Sequence, residues 1–393
     1  MDFGLSEDQE LLQRTAAEFL ARECPTSLVR EVGRDEEGHP RALYKRMAEL
    51  GWLGLIVPER YGGAGLTMLD LALLCEQLGR AVVPGPFLSS AVLATLALSL
   101  GGTRTQQQAW LPRLASGDAF GALAFLEESD RLDAPGIAAR ARQRGSGWTL
   151  SGTKLFATDA HVADVLVAAF RTSSAALRGR TAKPAATEGR ATADGITLFL
   201  VPRDTPGVHI APLPVIDQTR RPMEVRFEGV ELPASAALGT VGTGWKTLAR
   251  VLDAAAIALA ADSLGGAERA LEMAVEYSKV REQFGRTIGS FQAVKHMAAE
   301  MVSEIEPARA LVWYAAYAFD ALPRDAARAA SLAKACLSDV YARVANRAVQ
   351  IHGGIGFTWE HDIQLWFKRA KWNELAFGDA TYHRERLAAL SRW

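Results

Sequence analysis

The chain has 393 residues and a mass of 42.4 kDa, enough for two or three subdomains, each with its own core. Apolar residues make up 49%, charged residues 23%, and the net charge is −1; this is the balance of an ordinary globular protein and leaves no basic field for nucleic acid. The three cysteines, Cys24, Cys75 and Cys336, are far apart and lack CxxC spacing, which argues against a disulfide framework or a zinc site and fits a reducing, cytoplasmic setting.

The opening MDFGLSEDQELLQRTAAEFL has acids where a signal peptide carries bases, and its apolar positions recur at helical spacing, so a first helix is expected rather than an address. No run reaches the roughly 18 to 20 apolar residues that a membrane span needs. From Ser6 to about Gly117, helical stretches alternate with loops such as PERYGGAGL and VVPGPFL. In MLDLALLCEQLGRAV the apolar residues lie on nearly every side, as in a helix buried on much of its surface.

Composition shifts near Ala119. Short β-rich runs follow, GWTLSGTKLFA, ADVLVAAF, GITLFLVP and MEVRFEGVEL, separated by Gly, Pro and Asp turns, and predict a small antiparallel domain. Within it, residues 172–195 are small, polar and unpatterned, which predicts a long exposed hairpin loop without an assigned function. After Gly244, helical periods return in long blocks that suit a four-helix bundle. The predicted fold is mainly α with a central β domain: a helical domain over 1–118, an antiparallel β domain over 119–238 and a C-terminal helical bundle over 239–393.

Two later stretches carry candidate chemistry. YSKVREQFGRTIGSFQAVKHMAAEM places Arg281, Phe284 and Gly285 at a helix end and Gln292 at the next helix start. A guanidinium fork suits phosphate and a neighbouring aromatic can pack on a base; an ordinary interhelical turn with a solvated Arg and a core Phe accounts for the segment equally well. AVQIHGGIGFTWEHDIQLWFKRAK puts Gln350 and His352 before Gly353 and Gly354. The glycines permit close backbone approach to a ligand, although a glycine helix stop and a structural histidine are the plainer account.

Taken in this order and at this separation, the two stretches resemble the acyl-CoA dehydrogenase family of flavoproteins. Nearly the whole chain takes part: IVPERYGGAGL and QQQAWLPRLASGDAFGALAF resemble its first domain, SGTKLFATDAHVADVLVAA its flavin segment, and FEGVELPASAALGTVGTGW its exit from the β domain. The resemblance implies FAD between the β domain and the bundle, its diphosphate and adenine held by a neighbouring subunit. Carried over, Arg281 pairs with the diphosphate, Phe284 and Gln292 line the cofactor cleft, and Gln350, Gly353 and Gly354 add further contacts. Thr158 matches a residue that hydrogen-bonds near the reactive edge of the flavin, and Phe156 stands where the family usually has Trp. In AFLEESDRLDAPG, Leu126 and Glu127 fall at the family's substrate loop without its Pro and Gly pattern.

The family's reaction removes a proton α to a thioester carbonyl while a hydride leaves the β carbon, and it needs a carboxylate base placed within about an ångström in a dry site. Of the family's two positions for that Glu, the one before a Gly in the last segment is Phe377 here, and the one on the first long bundle helix is Ala255. The next residue, Ala256, stands where an Arg often binds acyl-CoA. In WNELAFGDATYHRERL, Asp379 lies two residues late, a helical rotation of roughly 200°, and reads as a helix N-cap. Glu374 is a turn early, and Glu385 belongs to a charged helix face.

Keeping the FAD half while losing the base resembles the FAD-binding subunit of heteromeric family members that act in actinobacterial steroid side-chain breakdown, where the partner brings the Glu. The implied partners are an acyl-CoA substrate, a second acyl-CoA dehydrogenase-like subunit and electron-transferring flavoprotein. A self-sufficient homotetramer using Asp379, a flavin-dependent monooxygenase or oxidase, and a non-catalytic scaffold subunit remain as alternatives.

Overall fold

The computed structural model describes residues 4–172 and 195–391. It begins with helices α1 (Glu7–Glu23), α2 (Thr26–Arg34), α3 (Arg41–Glu49) and α4 (Met68–Arg80). Phe87–Ala94 then forms a π-helix that runs into α5 (Thr95–Gly101), and α6 (Arg104–Ser116) closes the domain. Three of these helices start on reciprocal capping boxes, Ser6 with Gln9, Thr67 with Asp70 and Thr103 with Gln106. Each pairing satisfies two otherwise orphaned amides and fixes the helix start in the local sequence. As its pattern suggests, α4 is buried almost all round.

The middle domain is a seven-stranded sheet: β1 (Gly121–Ala124), β2 (Arg140–Arg144), β3 (Gly147–Lys154), β4 (Val165–Thr172), β5 (Ile196–Pro202), β6 (Val208–Pro212) and β7 (Met223–Pro233). The antiparallel expectation holds for β2–β3, β3–β7, β4–β5 and β6–β7. The pairings β1–β4 and β2–β4 are parallel, so the sheet is mixed. Alternation of side chains sets burial and carries no strand direction, which is why the sequence is silent on this point. Trp148, Phe170, Phe199 and Phe227 meet edge to face in the core, an arrangement aromatic quadrupoles favour. β4 and β5 pair as a hairpin; the loop predicted to join them falls outside the described residues apart from its two ends.

The C-terminal domain holds α7 (Gly244–Val280), the short hairpin β8 (Glu282–Gln283) and β9 (Arg286–Thr287), then α8 (Gln292–Ala321), α9 (Ala326–His352), α10 (Ile363–Leu375) and α11 (Ala380–Ser391). α9 packs against the other four helices, so the expected bundle is present with a fifth helix added. At the crossing of α4 and α7 the helices touch backbone to backbone: a Cβ on Gly79 would fall 2.0 Å from Asp262 O, and one on Gly265 would fall 1.8 Å from Glu76 O. Any larger residue there would force the helices apart. No helix among the described residues is long and apolar enough to cross a membrane.

Candidate active site

All three domains border one cleft of about 520 Å³. The π-helix lends Ser89 and Leu93, the β domain lends Phe125, Phe156 and Thr158, and the turn between α10 and α11 lends Phe377. A π-helix opens one extra residue into a helical turn and recurs at functional sites; here it also lets Ser89 Oγ donate to buried Asp159 Oδ2 at 2.7 Å.

One wall of the cleft is anchored by buried charge. Arg369, on α10, donates from Nε to Asp217 Oδ2 at 2.9 Å and from Nη1 to Asp262 Oδ2 at 2.9 Å. Its Nη2 reaches Val83 O at 3.0 Å, and Asn373 Nδ2 donates to Asp262 Oδ1 at 2.7 Å. Burial works against the Arg369 charge, but the carboxylates of Asp262 and Asp217 outweigh it and hold the guanidinium protonated. The network joins the β6–β7 loop to α7, α10 and the first domain, and Asp217 itself lines the cleft.

A second part of the wall is the turn after α10. Phe377 has φ +58 and Gly378 φ +97, the left-handed region that a bulky residue enters only when its surroundings enforce it. Two buried side chains supply the enforcement. Lys334 Nζ, from α9, donates to Gly378 O at 2.8 Å, Glu374 O at 3.2 Å and Ser338 Oγ at 2.9 Å. His383 Nε2 donates to Phe377 O at 3.0 Å, because a carbonyl can only accept. Burial pulls Lys334 down to about 7 against the nearby Asp379 and Glu374, and burial together with the Lys334 charge holds His383 down at about 3 and therefore neutral. The Phe377 ring stacks on Phe125, with centroids 6.2 Å apart and an interplanar angle of 16°.

The turn presents no obvious base to the cleft. Asp379 lines it, but its Oδ1 accepts from Tyr382 N at 2.7 Å, the N-cap of α11. Glu374 pairs with Lys371 at 2.7 Å, and Glu385 is exposed on α11. Ala255 and Ala256 are wholly buried in α7. Leu126 lines the cleft, whereas Glu127 turns away from it and accepts from the amides of Ala138 and Ala139 and from Lys154 Nζ, the last at 2.6 Å.

Of the residues expected to hold the cofactor, the structure puts Phe156 and Thr158 in the cleft. Phe156 has φ +54 and is half-exposed. Arg281, Phe284, Gln292, Gln350, Gly353 and Gly354 are all exposed at one end of the bundle. Tyr277 near the end of α7 stacks on His352 at the end of α9, centroids 4.7 Å apart, which brings the Arg281 and Gly353 corners together. Gln350 shares a groove with the start of α8, including His296 and Met297. Phe284 has φ +53 and is 92% exposed, so it is no core residue; Ile355, Phe357 and Trp359 are exposed on the neighbouring turn. His352 is the buried, satisfied histidine of the plainer account, bonded to Ala348 O at 2.7 Å. An exposed Arg, an exposed aromatic ring and unobstructed glycines suit a dinucleotide laid across this end of the bundle.

The acyl-CoA dehydrogenase N-terminal, middle and C-terminal domain profiles match residues 6–118, 122–230 and 242–391. The acyl-CoA dehydrogenase IpdE2 of Mycolicibacterium smegmatis is 32% identical over 98% of this chain and 99% of its own. The Tcur3481–Tcur3483 steroid ACAD structure superposes with a TM-score of 0.84 at 30% identity, covering 98% of both chains. A glutaryl-CoA dehydrogenase of M. smegmatis in complex with FADH2 superposes with a TM-score of 0.86 at 25% identity, covering 99% of this chain and 96% of the other.

Proposed function

Since the chain belongs to the acyl-CoA dehydrogenase family, whose members are FAD-dependent oxidoreductases, we propose that it is the FAD-binding subunit of a heteromeric member. Its reaction is α,β-dehydrogenation of a bulky, sterol-derived acyl-CoA thioester, with the catalytic Glu supplied by a partner subunit. One observation carries this reading: the two places where the family keeps its base are a wholly buried Ala255 and an aromatic Phe377, and neither side chain can accept a proton. The steroid substrate class is supported by the similarity to the steroid ACAD structure.

In this reading Arg281 meets the FAD diphosphate, with Phe284, Gln292, Gln350, Gly353 and Gly354 around it, while Phe156 and Thr158 face the flavin ring. When bound, FAD accepts the hydride that leaves the β carbon; electron-transferring flavoprotein is the acceptor that follows from family membership. Phe125, Phe156 and Phe377 give the cleft apolar walls that exclude water, the condition under which a carboxylate brought by another chain abstracts a weakly acidic proton.

The test is purification of the chain alone and with the acyl-CoA dehydrogenase relative encoded beside it. Substrate is expected to bleach the flavin only when both chains are present. Full flavin loading and bleaching by this chain alone would overturn the proposal. A second reading, a self-sufficient enzyme using Asp379, draws on the position of that carboxylate at the cleft wall.

A further inference from the structure

Beside the cleft lies a second chamber of about 50 Å³, lined among others by Trp245, Ala249, Leu252, His383 and Arg386. Leu132, Phe377 and Tyr382 line both spaces and so form the wall between them. Phe377 is held from several sides. Its carbonyl is fixed by His383, the next carbonyl by Lys334, and its ring rests on Phe125. The chamber is mostly apolar, though Arg386 borders it and His383 Nδ1 is buried there without a partner, and it is roomy enough for water that a longer acyl chain would displace.

From this geometry we propose that Phe377 is a specificity-determining residue. Its ring confines the acyl group to the main cleft, so the side chain at position 377 decides whether the neighbouring chamber is available to substrate. The proposal rests on the acyl-CoA reading of the cleft. It differs from that reading in what it assigns to Phe377: beyond leaving the base position empty of carboxylate, the ring acts as a partition. Truncation joins the two spaces, and each methylene that enters the apolar chamber tightens binding about fourfold.

The experiment titrates the FAD-loaded protein, with its partner subunit, against 2-enoyl-CoA thioesters of increasing chain length, read by calorimetry. These ligands already carry the double bond, so binding is measured without turnover. The affinity of the wild type is expected to stop rising at the chain length that fills the cleft. F377A is expected to carry the rise on to longer chains, and A249F in the F377A background to bring the limit back. F377L, a smaller perturbation of the turn, is expected to shift the limit in the same direction and serves if F377A does not fold. A length profile unchanged in these variants would overturn the role of Phe377 while leaving the acyl-CoA reading intact. Failure of the wild type to bind any member of the series would overturn the acyl-CoA reading, and the partition with it.

Discussion

The Arg369 guanidinium meets the Asp217 carboxylate at 2.9 Å with neither side chain reaching solvent. The same guanidinium holds Asp262, which buried Arg220 also reaches at 3.2 Å, so Arg369→Met would leave Asp217 buried without its cation and Asp262 with Arg220 alone. Breaking a buried pair from one side costs about 3–5 kcal/mol. Urea unfolding is expected to show a loss of that size; a change below about 1 kcal/mol would mean that water enters the network and replaces the guanidinium.

Lys334 makes stability depend on pH in a defined direction. Its folded value, about 7, lies below the ordinary value of 10.5, so between these limits the unfolded chain binds more protons than the folded one. Stability from this group therefore rises with pH across that window, and the burial penalty is fully present below about 7. Lys334→Met removes the term. The melting-temperature difference, wild type minus variant, is expected to shift in favour of the wild type between pH 6.5 and pH 9.5, and a difference that is flat with pH contradicts the assignment.

Asp379 separates the two readings of the reaction. As an N-cap its loss to Ala costs about 1 kcal/mol, while Asn caps nearly as well as Asp. Asp379→Asn is therefore expected to keep both stability and the turnover of the two-chain complex. Turnover lost with flavin retained would move the base to Asp379.

Arg281 is expected to act on cofactor affinity and not on folding, since its side chain is exposed at the end of α7. A charge-assisted hydrogen bond to a diphosphate is worth roughly 1.5–3 kcal/mol. Arg281→Ala should weaken FAD binding about ten- to a hundredfold with an unchanged melting temperature of the apoprotein, measured by flavin fluorescence titration. Equal FAD affinity in both proteins would remove Arg281 from the cofactor site.

Much of this molecule is legible in its sequence, for reasons that differ by region. The bundle helices declare themselves through long apolar periods, and the N-cap at Asp379 through its place one residue before ATYHRERL. The two parallel strand pairings are silent because pairing direction leaves no local mark. The π-helix at Phe87–Ala94 is silent because all its residues are buried, Ser89 and Ser90 with the apolar ones, and show no distinct period. Lys334 and Arg369 look like ordinary charges on helix faces. Their meaning comes from carbonyls and carboxylates far away in the chain, such as Gly378 O and Asp217, and no local spacing encodes such a meeting. The apolar character of Phe377 is plain in the sequence; that its ring walls off a second chamber emerges only once Trp245, Ala249 and His383 are seen behind it.

The glycine crossing of α4 and α7 has a consequence for ligand traffic. With backbone against backbone at Gly79 and Gly265, no side chain stands between α4 and α7 at this point, and sliding one helix along the other here would drive carbonyls into α-carbons. At the fringe of the cleft, Ile216 and Leu375 stand 66% and 60% exposed, so a ligand entering there would meet side chains free to step aside, while the glycine crossing offers no such give.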